Sequence, residues 1–145
     1  RGSEDSIALV MMASASATLA AQWGLIPRLN AGPRALLVWG AAIAAVGTVG
    51  TMLASDLYGI TLGFAVASIG FGFTRPGFTA GASLAVPLAE QGGVAGVITA
   101  ANGISFVAAP ALGMALYALD PSLPFAASAV LLVLLSWLSR RLGNP

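Results

Sequence analysis

The chain has 145 residues, of which 58% are hydrophobic and 8% are charged; its six basic and five acidic side chains leave a net charge of +1. Water-soluble domains carry about 25% charged residues, so these few charges cannot supply a polar surface for a soluble fold. The small net charge, without a basic cluster, argues against nucleic acid as a partner. The lack of Cys and His removes disulfides, thiol chemistry and the commonest zinc ligands, and no metal or cofactor is expected.

Long apolar segments follow one another along the whole chain. A membrane-spanning helix needs about 20 mostly apolar residues. The sequence predicts five such spans, at 7–26, 35–54, 57–87, 92–119 and 122–139. Irregular backbone cannot satisfy its hydrogen bonds in lipid, and a barrel would need short segments of alternating polarity. We therefore expect an all-α membrane protein whose helical bundle occupies residues 7–141.

The two ends of the chain are polar. Residues 1–6 are a polar lead-in that begins with Arg and lacks the pattern of a signal peptide. We therefore expect the chain to be part of a longer protein, or to carry a short added sequence joined to such a part. Residues 142–145 are expected to form a cytoplasmic tail.

The arginines predict the orientation. Arg28 and Arg34 lie in the first connection and Arg140 and Arg141 follow the last span, whereas the opposite connections carry only acidic charges. Cytoplasmic loops are enriched in Lys and Arg. Five alternating spans would bring all four arginines to the cytoplasmic side, with the N-terminus outside.

Small residues recur at four-residue spacing within the spans, as in Gly59/Gly63, Gly92/Gly96 and Ala109/Gly113. Such residues allow close approach of helix backbones in membranes. The spacing is common in helical bundles and indicates packing, not a particular function.

Two segments carry a family resemblance. One is Gly70-Phe71-Gly72-Phe73-Thr74-Arg75-Pro76-Gly77, which continues to Ala82-Ser83-Leu84 and Gln91-Gly92-Gly93-Val94-Ala95-Gly96; the other is Ala109-Pro110-Ala111-Leu112-Gly113-Met114-Ala115-Leu116-Tyr117. Together they resemble the C-terminal half of the major facilitator superfamily, and within it the bacterial drug:proton antiporters of the tetracycline and multidrug exporter type. Gln22-Trp23, Pro27-Arg28-Leu29 and Pro33-Arg34 are similar to that family's loop between helices 8 and 9. The chain departs from the pattern at Ala109, where the family often has Gly, and by lacking an acidic residue in this loop.

The resemblance implies helices 8 to 12 of a twelve-helix transporter in the bacterial inner membrane. Its implied function is proton-coupled efflux of small amphipathic compounds by alternating access. Its implied partners are the lipid bilayer, the missing N-terminal half, a small-molecule substrate and protons. No acidic residue lies inside a predicted span, so the proton-binding group is expected in the missing half.

Two alternatives remain open at this point. One is an importer of sugars or other metabolites from the same superfamily, and the other is a small membrane subunit that does not transport. An enzyme is not expected, because the spans lack a nucleophile–base pair and metal ligands.

Arg75 is the leading candidate for a functional residue, since a charge inside a span is costly and usually faces protein or water. It could attract an anionic substrate or pair with a carboxylate of the missing half; the alternative is an arginine that snorkels to the membrane surface. Pro76 predicts a hinge or a static bend.

Further candidates are polar or small residues inside the spans. Thr99, Asn102 and Ser105 share one helix face and, with Gln22, could line the substrate pathway or form hydrogen bonds between helices. Helix packing or bending is predicted for Gly70, Gly72, Gly92, Gly96, Pro110 and Gly113. The resemblance further implies that Pro110 and Gly113 help to seal the pathway near the interface between the two halves.

Overall fold

The structure, a computed structural model, describes residues 2–141, which form helices joined by short connections. Helix α1 (Gly2–Leu19) continues through a π-helical segment, Ala20–Leu25, into the single turn α2 (Ile26–Leu29). The longer helices that follow are α3 (Pro33–Leu53), α4 (Leu57–Leu84), α5 (Gln91–Leu119) and α6 (Leu123–Arg141), with a 3-10 turn at Leu88–Glu90 before α5.

Among residues 2–141, five helical stretches are long and apolar enough to cross a bilayer. They are Glu4–Leu29, Pro33–Leu53, Leu57–Leu84, Leu88–Leu119 and Leu123–Arg141. The prediction of an all-α, multi-pass membrane protein with five spans is therefore confirmed.

Several predicted boundaries shift. Helix α1 begins at Gly2, so residues 2–6 of the predicted lead-in are helical; its first turn carries Glu4 and Asp5, which interact favourably with the helix dipole. The third span ends at Leu84 because Pro87 disfavours helical backbone in the residue before it. The predicted tail, 142–145, lies outside the described residues.

The connections are fixed by local hydrogen bonds and backbone geometry. Asn30 ends α2 in the left-handed region, at φ 47°, and Pro33 then starts α3. The Asp56 carboxylate caps α4 by accepting from the Gly59 N–H at 2.8 Å. Before α6, Asp120 accepts from the Ser122 hydroxyl and from its N–H, and these bonds lower the pKa of Asp120.

Helices α3 and α4 form the tightest contact, an antiparallel seam of residues repeating every seven positions. The seam consists of Pro33, Gly40 and Gly47 on α3 and Gly63, Gly70 and Gly77 on α4. A Cβ added at Gly40 would lie 2.8 Å from the Gly70 carbonyl oxygen, and one added at Gly77 would lie 2.8 Å from the Pro33 carbonyl oxygen. The backbones therefore touch directly, which allows the dispersion contacts that drive helix association in lipid.

Helix α6 packs on another face of α3. Leu132 lies among three buried alanines of α3, and the Ser136 hydroxyl donates to the Val38 carbonyl at 3.1 Å. Helix α1 runs along α4, where Ala21, in the π-helical segment, is fully buried near Gly72. Pro27 cannot donate a hydrogen bond and its ring crowds the carbonyl four residues earlier, which accounts for the wider turn in this segment.

Helix α5 packs much less than the others. None of its residues is buried, and a Cβ added at Gly92, Gly96 or Gly113 would meet no atom within 4 Å. Within the described chain these three glycines pack against no other helix, because α5 stands away from α3 and touches α4 and α6 only sparsely; the packing or bending predicted for them stays a prediction.

Arg34 and Arg140, two of the arginines that predict the orientation, lie at one end of the bundle. The Arg34 guanidinium donates to the Ser139 carbonyl at 2.9 Å and also to the Arg140 carbonyl. Arg140 lies 5.9 Å from the ring centre of Trp39, within the range of a cation–π contact. The start of α3 and the end of α6 therefore meet at one end of the molecule.

Candidate functional site

One candidate site is an open, mostly apolar cavity of about 790 Å³ between α4 and α5, to which α3 and α6 contribute one lining residue each. Its lining consists of Leu37, Phe71, Thr74, Arg75, Phe78, Asn102, Ser105, Phe106, Ala109, Pro110 and Leu135. Pockets for small molecules are typically of this size, mostly apolar, with a few polar groups that fix orientation.

Helical periodicity brings these residues together. The α4 residues occupy positions 71, 74, 75 and 78, and the α5 residues occupy 102, 105, 106, 109 and 110. Spacings of three and four residues place side chains on one helix face. Each helix thus contributes one face, and the cavity exists because α5 does not close against α4.

The polar side chains of the cavity differ in whether their hydrogen-bond donors are free for a ligand. The Thr74 hydroxyl donates to the Gly70 carbonyl at 2.6 Å, and the Ser105 hydroxyl donates to the Ala101 carbonyl at 2.8 Å. Neither hydroxyl therefore has its proton free for a ligand. In the described part of the chain, the Arg75 guanidinium and the Asn102 amide have no hydrogen-bond or ion-pair partner.

Arg75 is therefore a cation without a counter-ion among the described residues. Its side chain is exposed on α4, about 14 Å from the Leu84 end and about 27 Å from the Leu57 end at 1.5 Å per residue. This position lies nearer the end of the bundle that carries the other arginines. Its depth is compatible both with a role inside the cavity and with snorkelling.

The two helices that form most of this cavity each contain an internal proline. Helix α4 continues through Pro76 and α5 continues through Pro110, and each proline removes one backbone hydrogen bond from its helix. Pro110 lines the cavity, whereas Pro76 lies next to Arg75 outside the lining. The hinge predicted at Pro76 stays a prediction.

Other predicted site residues lie elsewhere. Thr99 is exposed on α5 outside the cavity lining, with its hydroxyl donating to the Ala95 carbonyl at 2.8 Å. Gln22 lies in the π-helical segment, away from the cavity. Gly70 packs against α3, and Gly72 packs against α1 and the segment that follows it.

A second cavity, of about 470 Å³, lies between α1, α3, α4 and α6. Five of its lining residues carry hydroxyls: Ser14, Thr48, Thr51, Ser68 and Ser128. Thr48, Thr51 and Ser128 donate back to carbonyls of their own helices, and the buried Ser14 hydroxyl has no partner among the described residues. Phe71 lines both cavities.

Two features of the structure were not predicted from the sequence. The first is the aromatic wall of the large cavity, formed by Phe71, Phe78 and Phe106. The second is the seven-residue repeat of the α3–α4 seam, for which the spacing Gly63, Gly70, Gly77 was a readable signal in the sequence. The aromatic wall gave no such signal, because Phe is common on lipid-facing surfaces.

The described residues contain no group of three or more acidic, His or Cys side chains that could hold a metal ion. Comparison of the chain with protein-family models, curated proteins and solved structures gave no match. The cavity and the residues that line it are therefore the features that bear on function.

Proposed function

We propose that this chain is part of a secondary active transporter that exports small amphipathic compounds in exchange for protons by alternating access. The observation that carries the proposal is the cavity between α4 and α5, in which Arg75 and Asn102 face an apolar wall inside the membrane-spanning region. Secondary transporters bind substrate at such sites between helix bundles.

The energetic cost of placing Arg75 inside a spanning helix supports this proposal. A charged side chain inside a spanning helix is expensive and marks a substrate or ion pathway more often than a packing position. The surrounding side chains could contact the apolar part of an amphipathic compound. The resemblance of residues 70–96 and 109–117 to drug:proton antiporters points in the same direction.

Proton coupling is proposed to depend on a part of the protein outside this chain. The acidic side chains here lie at helix ends or in connections, as Glu4, Asp56, Glu90 and Asp120 do. Proton-driven transport needs a titratable group within the membrane. We therefore expect that the chain alone does not transport.

We further propose that the protein lies in a bacterial inner membrane with the arginine-rich end in the cytoplasm. Arg34 contacts the end of α6. Asp56 lies between α3 and α4 and Asp120 lies between α5 and α6, both at the opposite end of the helices. This asymmetry agrees with the enrichment of Lys and Arg in cytoplasmic loops. Cysteines introduced at Ala31 and Ser55 should react with an impermeant maleimide from opposite sides of the membrane.

The transport proposal is tested with the protein encoded by the whole gene, reconstituted in liposomes with an imposed pH gradient. Uptake of fluorescent amphipathic compounds and collapse of the gradient are measured together. Export should require the gradient and should fall in the Arg75→Ala variant, with partial recovery in Arg75→Lys. Unchanged export in both variants would reduce Arg75 to an anchor.

Two other results would redirect the proposal. Inward movement of sugars or other metabolites, either down their own concentration gradient or together with protons, would favour an importer. A gene that encodes five spans and no more, with no movement of any tested compound, would favour a membrane subunit that does not transport.

A further inference from the structure

We propose that the cavity between α4 and α5 selects anions, so that its ligand is an amphipathic compound with a carboxylate, sulfonate or phosphate group attached to an apolar, preferably aromatic, body. This inference rests on the proposed function for its biological meaning, but it concerns binding and can be tested without transport. It names the charge of the ligand, which the transport proposal leaves open.

The negative charge of the proposed ligand follows from the hydrogen-bond donors and acceptors in the cavity. Arg75 contributes five N–H donors and a positive charge, and it has no counter-ion among the described residues. The Asn102 amide, also in the lining, contributes two further donors. The cavity lining includes no carboxylate that could receive a cationic ligand.

The two hydroxyls strengthen this argument. Thr74 and Ser105 donate to carbonyls of their own helices, so they offer lone pairs but no proton to a ligand. The free donors of the cavity therefore come from Arg75 and Asn102. A guanidinium can donate two parallel hydrogen bonds to two oxygens of one oxyanion, and a carboxylate, sulfonate or phosphate each offers such a pair of oxygens.

The remaining lining defines the rest of the ligand. Phe71, Phe78 and Phe106 come from α4 and α5, while α3 and α6 contribute Leu37 and Leu135. Apolar side chains occupy most of the wall, and aromatic rings favour offset or edge-on contact with another aromatic group. A ligand with one anionic group and one flat apolar body satisfies both parts of the cavity.

The test uses the 145-residue chain in nanodiscs of phosphatidylcholine and a pair of probes with the same body and opposite charge. Naphthalene-2-sulfonate and 2-naphthyltrimethylammonium keep their charges at all working pH values. Binding is measured by isothermal titration calorimetry after subtraction of empty nanodiscs. We expect the sulfonate to bind at least tenfold more tightly than the ammonium compound.

The variants identify the residue responsible. Arg75→Met should weaken sulfonate binding at least tenfold, and Arg75→Lys, which keeps the charge, should restore most of it. Arg28→Met is the matched control, because Arg28 donates to the Gly24 carbonyl at 3.1 Å and lies outside the cavity. Its affinity for the sulfonate should equal that of the unaltered chain, and circular dichroism should show equal helix content in all variants.

A second set of nanodiscs, containing phosphatidylglycerol, separates two sources of the anion. If a lipid phosphate occupies the cavity, phosphatidylglycerol should compete with the sulfonate in the unaltered chain and not in Arg75→Met. Either source supports an anion site at Arg75.

Equal affinity for both probes, no binding of either, or an unchanged affinity in Arg75→Met would overturn the inference. Its failure is distinct from failure of the proposed function. Anion binding by the chain could be found even if the whole protein moved nothing across a membrane, and gradient-driven export of cations alone would refute the anion site while leaving transport intact.

Discussion

Adding a single methyl group at the α3–α4 seam tests whether backbone contact stabilises this bundle. In the Gly70→Ala variant the new Cβ would lie 2.7 Å from the Ala44 Cα and would also meet the Gly40 carbonyl oxygen. Ordinary contacts between carbon atoms lie at about 3.5–4.0 Å, so the two helices must separate by about 1 Å. Both obstacles belong to backbone or Cα atoms, so no side-chain rotation can relieve them.

The expected cost follows from two opposed effects. Overpacking a close contact costs about 1–3 kcal/mol, whereas replacing Gly by Ala inside a helix gains about 0.5–1 kcal/mol, so a net loss of up to about 2.5 kcal/mol is expected. The matched control is Gly96→Ala on α5, where an added Cβ meets no atom within 4 Å. Gly96→Ala gains helix propensity without a steric clash, so its stability should equal or slightly exceed that of the unaltered chain.

The measurement is the free energy of unfolding, obtained by titrating the chain in mixed micelles with sodium dodecyl sulfate and following helix content by circular dichroism. Gly70→Ala should unfold at a lower fraction of dodecyl sulfate than the unaltered chain, and Gly96→Ala should not. If both variants behave alike, close contact along the seam does not determine stability and the packing argument fails.

Three further predictions concern side-chain hydrogen bonds. Ser136→Ala removes the bond to the Val38 carbonyl and should cost about 0.6 kcal/mol in the same titration, the average for interhelical bonds in a membrane protein; a loss above about 2 kcal/mol would contradict this. Arg34→Met removes a cation from the last carbonyls of α6 and should lower the free energy of unfolding by about 0.3–1 kcal/mol. Amide hydrogen exchange in the last turn of α6 should become faster, and unchanged exchange would refute the capping role. Ser122→Ala should raise the pKa of Asp120, measured by NMR titration, because the hydroxyl bond is the main cause that lowers it. Since the folded-state pKa is lowered, the stability from this pair is present above the ordinary carboxyl pKa and is lost as the pH falls through the lowered value; an Asp120 pKa that did not move in the variant would refute the assignment.

The helices were predictable because a bilayer permits few solutions. Segments such as 35–54 contain no charge, and their backbone can satisfy its hydrogen bonds in lipid only as helix. The exact ends were less predictable. They depend on local effects, such as the dipole interaction of Glu4 and Asp5 and the restriction that Pro87 imposes on the residue before it.

The candidate site was predicted in part. Arg75 was identified because a lone charge in an apolar segment is visible in any sequence, and Asn102 and Ser105 were identified by their shared helix face. Thr99 was grouped with them by the same periodicity, but the cavity does not extend to it. Periodicity defines the face of one helix and contains no information about how far a neighbouring helix reaches.

Sequence alone determined that this protein is a bundle of five spanning helices with an arginine-rich end, since charge scarcity and apolar length depend only on the order of residues. Tertiary structure decided which small residues make contact. Gly70 lies against the backbone of α3, whereas Gly96 faces open space, although both are glycines in apolar helices. The physical reason is that helix association in lipid depends on how two surfaces fit, and that fit is a property of pairs of helices. The cavity around Arg75 arises in the same way, from the separation between α4 and α5.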